Sequence, residues 1–207
     1  MGQEVREYKM NNMSNWIPDN TIIHGNTIDL LPLEKEHYPA LIELGKDKRI
    51  WEHYTFDGTN PARLTEILNG LLADREKGVQ YPFAIFHKRE KKIIGSTRFI
   101  DINKANKRLE IGGTWLHPDY WATVVNPDCK YHLLKYCFEE LGTYRVQLKT
   151  DENNIRSRKA IEKIGGRFEG ILRNDMIRDN GTKRNSAYYS ILDTEWPEVK
   201  KSLKGKI

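Results

Sequence analysis

The sequence predicts an α+β fold built on one mixed, mostly antiparallel sheet, and three observations predict it. Residues 81–88, 93–102 and 108–116 read as consecutive strands joined by the charged turns KREKK and NKANK, which are too short for crossovers. Residues 108–150 pass from strand to helix to strand, which is one right-handed crossover and one parallel pair. Residues 167–177 and 184–192 close as a hairpin around Asp179-Asn180-Gly181.

The elements follow in order. Residues 1–20 are polar without a clear period and are expected to form a flexible tail, leaving 21–207 as one domain. Residues 27–33, TIDLLPL, make a first strand. A helix over 36–46 carries Tyr38, Leu41, Ile42 and Leu44 as its apolar members. Asn60-Pro61 opens a second helix to about Lys77, with Asn60 as cap, Pro61 in the first turn, and Leu64, Ile67, Leu68, Leu71 and Leu72 at helical spacing. After the three central strands, Asn126-Pro127-Asp128 signals another helix start: a cap, a first-turn proline and an acid at the positive end. Leu133, Leu134, Cys137, Phe138 and Leu141 form its apolar stripe, and Gly142 stops it. Residues 144–150 alternate as a strand, 154–164 form a helix ended by Gly165-Gly166, and a short helix follows Thr194 after the hairpin. The predicted core order is β-α-α-β-β-β-α-β-α-β-β.

Composition narrows the class. The chain has 207 residues, 38% hydrophobic and 30% charged, which suits one globular domain with its own core. No apolar run reaches the ~18 residues of a membrane span, and the N-terminus has no apolar signal core, so a cytoplasmic, membrane-free protein is expected. Cys129 and Cys137 lie eight apart on one helix, roughly 12 Å, too far to pair, and read as core thiols. The six histidines show no ligand spacing, so no metal is expected. Net charge is +5, mild because 34 bases mix with 29 acids. It admits an anionic cofactor and does not predict direct nucleic-acid binding, which needs a clustered basic face.

Two segments carry candidate chemistry. Residues 108–126, RLEIGGTWLHPDYWATVVN, run from a strand into a helix start, where free amides and the helix dipole favour an anion. Gly112 and Gly113 in that strand mark a bulge or a close approach. Residues 151–166, DENNIRSRKAIEKIGG, place Asn153, Asn154 and Ser157 where a strand gives way to a helix, able to cap it or to hold a polar cofactor arm.

Together, the element order, EIGGTWLHPDYWATVVN, TDENNIRSRKAIEKIGGRFEGILRNDM and the closing SAYYSILDTEW resemble the GNAT superfamily of N-acetyltransferases over residues 24–197. The nearest branch is that of the bacterial ribosomal-protein N-terminal acetyltransferases. The resemblance implies a GNAT-like fold in which two neighbouring strands splay apart and acetyl-CoA enters between them. It implies that the pantetheine arm pairs with the strand at 111–117, which includes Trp115, Leu116 and His117. It further implies that the pyrophosphate rests on amides of Trp121, Ala122, Thr123, Val124, Val125 and Asn126, and that Asn154 and Ser157 contact the cofactor near its thioester. The acceptor would be a primary amine, on a protein N-terminus or a small molecule, and the protein a monomer or homodimer.

One departure stands out. Relatives carry a W-G-x-G turn where this chain has Trp121-Ala122-Thr123-Val124. Val124 is β-branched and ill suited to positive φ, and Pro127 lacks a donor, so weakened CoA binding is expected. The competing reading is a catalytically weak or inactive CoA-binding relative that acts as a binding protein. For the enzyme, Glu110 is the candidate general base, an N–H near Leu116 or His117 the oxyanion donor, and Ser157 the partner of the leaving thiolate, with Tyr189 as alternative. Specificity is expected from the helices at 36–77 and the hairpin at 177–186.

Overall fold

The computed structural model describes residues 16–207. Its eight strands form one sheet in the order β1-β2-β3-β4-β5-β6-β8-β7. In chain order these are β1 (Ile23–His24), β2 (Ile28–Pro32), β3 (Tyr81–His87), β4 (Lys92–Asn103), β5 (Arg108–Leu116), β6 (Arg145–Asp151), β7 (Arg167–Ile177) and β8 (Lys183–Leu192). The α-helices are α1 (Tyr38–Gly45), α2 (Pro61–Glu76), α3 (Val125–Lys135), α4 (Ile155–Lys163) and α5 (Trp196–Lys204). Every neighbouring pair is antiparallel except β5 with β6. None of these helices is long and apolar enough to cross a membrane.

Alternation along the strands splits the core between the two faces of the sheet. Phe83 and Ile85 pack into a cluster with Leu133, Leu134, Ile161, Trp196 and Leu203, so α3, α4 and α5 cover that face. Ala84 turns the other way, into a cluster with Leu41, Leu64, Leu68 and Leu71 of α1 and α2. Asn60 caps α2 as the sequence predicts, its Oδ1 accepting from Ala62 and Arg63 N–H at 2.9 and 3.2 Å. Both cysteines are buried, and burial pushes the Cys129 thiol up to about 12.

Four expectations are corrected. Residues 1–15 lie outside the described residues, but the remainder of the expected tail is packed: Ile17 is in the core, and Tyr81 Oη donates to the Asp19 carbonyl at 2.7 Å. A two-residue strand, β1, precedes the predicted first strand and escapes any periodicity argument. The helix after the central strands begins at Val125, one residue before the predicted cap. Asn126 therefore lies inside α3. Pro127 also falls in its first turn, where an N–H has no intrahelical partner to lose. Asp128 points at the chain's beginning instead of capping: its carboxylate accepts from Asn26, Thr27 and Ile28 N–H at 3.1, 2.7 and 3.3 Å. Finally, the third helix does not stay α-helical to Gly142: residues Tyr136–Glu140 form a π-helical turn.

Candidate active site

The decisive geometry is a fork in the sheet. β5 and β6 pair only through Arg108↔Arg145, Leu109↔Val146 and Glu110↔Gln147. Beyond Glu110, β5 pairs with β4 alone, and beyond Gln147, β6 pairs with β8 alone. The two strands thus part into a slot whose apex is Glu110. A cavity of about 460 Å³ occupies it.

A bulge shapes one wall. Ser96 pairs with Trp115 and Arg98 with Gly112, so β5 has one more residue than β4 between these pairs. Gly113 takes up the excess at φ +53°, a conformation that L side chains rarely adopt. A Cβ there would also lie 2.5 Å from Arg98 Cζ. The glycine therefore makes room for a guanidinium as well as a bend.

The apex carboxylate is oriented. Gln147 Nε2 donates to Glu110 Oε2 at 2.8 Å, and Lys149 Nζ stands 3.8 Å from the same oxygen. Oε1 lies above Gly112, where a Cβ would come within 2.6 Å of it, and it has no protein donor among the described residues. Glu110 is 2% exposed. Nearby, Lys130 of α3 donates to Thr114 Oγ1 at 2.7 Å, and burial pushes its ammonium down from the usual range.

The mouth of the slot is an amide cradle. A 3-10 turn, Pro118–Tyr120, leads through Trp121–Val124 into α3. The N–H groups of Ala122, Thr123 and Val124 have no acceptor among the described residues, and they precede a helix start, an arrangement that receives anions. The residue with positive φ in this turn is Ala122, at +58°, whereas Val124 is helical at φ −65°, ψ −18°. The expected clash at Val124 is thus misplaced. Any strain belongs to Ala122, the small residue. Across the slot, Asn154 caps α4 by accepting from Ser157 N–H at 2.9 Å. Arg156 lays its guanidinium 3.7 Å from the Trp121 ring centre.

Of the residues proposed from sequence, Glu110, Trp115, Leu116, Trp121, Ala122, Asn126, Asn154 and Ser157 line the cavity. Thr123, Val124 and Val125 line a separate cleft beside His87 and Glu90. His117 lies outside the cavity, and its N–H donates to the Ile94 carbonyl at 3.0 Å, so it is no oxyanion donor. Tyr189 is fully buried, its hydroxyl donating to Glu162 Oε1 at 3.0 Å and accepting from Arg158 Nε at 2.9 Å. It is a packing residue and reaches no reacting group.

Residues 28–167 match the acetyltransferase (GNAT) domain model. The chain belongs to the GNAT acetyltransferase family. It is accordingly an acyl-CoA N-acyltransferase. This acetyltransferase is 24% identical, over 84% of its own chain and 98% of the relative, to a Bacillus subtilis protein named "Probable N-acetyltransferase YjcK". A GCN5-related N-acetyltransferase from Brucella melitensis superposes with TM-score 0.83 at 26% identity, covering 91% of this chain and 86% of that one. Mycobacterium smegmatis RimJ, solved in complex with CoA-disulfide, shares the fold at TM-score 0.76 and 19% identity, over 90% and 94% of the two chains.

The sequence reading missed several wall residues of the acetyltransferase. Arg98, Lys130, Lys149 and Arg184 line the cavity, as do Gln80 and Arg156. The detectable signal was Arg98, a lone cation in the otherwise apolar and small run IIGSTRFI. Between α1 and α2, Trp51 is buried in the core, while His53, Tyr54 and Phe56 line the cavity.

Proposed function

We propose that this protein transfers an acetyl group from acetyl-CoA to a primary amine, with the donor lying in the slot between β5 and β6. The observation that carries the reading is the fork itself: a slot with free amides at its mouth and an oriented carboxylate at its apex. A long anionic thioester fits these features. The N–H groups of residues 122–124 would hold its pyrophosphate, the unpaired edge of β5 beyond Glu110 would face its arm, and Asn154 and Ser157 would flank the thioester end. CoA supplies an activated acyl group on a thiol leaving group. That RimJ, which shares the fold, was solved with CoA-disulfide supports a CoA-type donor.

The protein's part is to align and to move protons. Holding both reactants in line is worth effective molarities of ~10⁵–10⁸ M. Glu110 Oε1, the carboxylate oxygen without a protein donor, takes a proton from the incoming ammonium so that the neutral amine can attack the thioester carbon, while Gln147 holds Oε2. Ser157, on the first turn of α4, is positioned to donate a hydrogen bond to the departing thiolate, which leaves with CoA.

Thiol release from acetyl-CoA, followed over a panel of amines and N-terminal peptides, tests this. Amine-dependent release is expected, and Glu110→Gln should lower kcat by about 10²- to 10⁴-fold. Calorimetric CoA binding without release for any amine would instead leave a binding protein.

A further inference from the structure

Two segments that contribute Thr55 and Met176 to the cavity wall are tied to each other. At the tip of the β7–β8 hairpin, Asp179 N–H donates to the Thr55 carbonyl at 2.8 Å, and Arg63 Nη2 donates to Asp179 Oδ1 at 3.2 Å. Two guanidiniums, Arg98 and Arg184, face the cavity together with Tyr54. Both guanidiniums act electrostatically on the Tyr54 hydroxyl.

These cations are poorly paired. The buried side-chain atoms without a hydrogen bond include three that line the cavity: Gln80 Oε1, Arg98 Nε and Arg184 Nε. Arg98 has no carboxylate within ion-pairing distance and no side-chain hydrogen bond among the described residues. Arg184 comes only within 3.8 Å of Asp151, whose carboxylate is already taken by Arg178 and by Asn153 N–H. Burial pushes both guanidiniums down from their usual range. An unpaired charge with little access to water is costly, and a merely structural arginine would find acceptors in the fold. The amide cradle at 122–124 offers the phosphates of CoA a separate place, because it follows Leu116 at the end of β5, whereas Arg98 pairs at Gly112.

Spacing adds the second constraint. Arg98 stacks over Gly113 and Glu110 Oε1 over Gly112, each within 2.6 Å of where a Cβ would stand. The two glycines are consecutive, so the cation and the candidate base lie within about 10 Å of each other. An anion received by Arg98 would therefore sit a few bonds from an amine at Glu110.

Resting on the acyl-transfer reading above, we infer that the acceptor is a small amine bearing a carboxylate, of the amino acid class. Its carboxylate is received by Arg98 and Arg184, and its amino nitrogen faces Glu110. The guanidinium fork suits the two oxygens of a carboxylate.

The test pairs each of a set of α-amino acids, β-alanine and γ-aminobutyrate with its own carboxamide, and adds N-terminal peptides. Two readouts run in parallel: thiol release from acetyl-CoA, and calorimetric binding of the N-acetyl acids and N-acetyl amides to the protein–CoA complex. At least one free acid is expected to exceed its amide by about 30-fold in kcat/KM, or in affinity, the range of a charge-assisted hydrogen bond pair. Arg98→Gln and Arg184→Gln should each shrink that ratio about tenfold, and Arg98→Lys should restore part of it. Equal use of acid and amide, or preference for peptides, would overturn the inference, as would a ratio that both substitutions leave intact. If Arg98→Gln does not fold, the wild-type ratio and Arg184→Gln still decide. If CoA binds but no amine releases thiol, the acyl-transfer reading fails, and the calorimetric preference alone judges the carboxylate site.

Discussion

The turn at 121–124 offers a perturbation whose size follows from backbone geometry. Ala122 sits at φ +58°, and its side chain is exposed. Holding a non-glycine residue in the left-handed region costs ~1–2 kcal/mol. Glycine removes that cost but gives back ~0.4–1 kcal/mol through its freedom in the unfolded chain. Ala122→Gly should therefore stabilise the protein by about 0.5–1 kcal/mol, a rise of roughly 1–4 °C in Tm for a chain of this size. Val124→Gly should give no gain, because Val124 is already helical at φ −65° and 40% exposed. Urea unfolding of the three proteins, with the slope m checked for constancy, measures both effects. A stabilised Val124→Gly beside an unimproved Ala122→Gly would refute the placement of strain. Because Ala122 already holds the turn, the affinity of Ala122→Gly for acetyl-CoA by calorimetry should stay within about threefold of wild type.

Two further outcomes are expected. Ser157→Ala leaves the α4 cap intact, since Asn154 accepts from the Ser157 N–H. It should lower kcat by about tenfold or more while changing the acetyl-CoA KM less, and steady-state kinetics showing full turnover would remove Ser157 from the chemistry. Asp128→Asn should destabilise the fold by about 2 kcal/mol, because three N–H groups lose a charged acceptor. Burial works hardest against the Asp128 carboxylate, but His132 and the amides of Thr27 and Asn26 outweigh it and hold its pKa below the usual value of 3.8. A depressed carboxylate contributes above its unfolded pKa and stops contributing as pH falls through the folded one. The stability gap between wild type and Asp128→Asn should thus be constant from neutral pH to about 4 and close only below that. A gap that closed between pH 7 and 5 would contradict the assignment.

The elements legible in the sequence were those whose cause is local. The hairpins at 81–116 follow from short charged turns, α2 from Asn60-Pro61, and the parallel β5–β6 pair from the passage of strand through helix to strand, whereas the fork between them was implied only by the family resemblance. The exact helix start was not legible, because Asn126-Pro127-Asp128 satisfies every local rule for a cap while Asp128 is drawn to residues a hundred positions earlier in the chain. Ala122 and Val124 exchange roles for a similar reason: residue type says which φ is costly, but only the path between β5 and α3 decides which residue must adopt it. Glu110, Asn154 and Ser157 were readable as a pattern and do line one cavity. Arg184 was not, and Arg98 showed only as a lone cation in an apolar run, because strand alternation does not say that either residue faces a cavity.

The grip of Asp128 on residues 26–28 bears on where the protein tolerates shortening. Deletion through residue 28 would strip a fully buried carboxylate of three donors, four residues into the helix that follows the unsatisfied amides. The exposed negative charge would then oppose an arriving phosphate at that same positive terminus. A trimmed variant would grasp its anionic donor poorly even with every cavity-lining residue still in place.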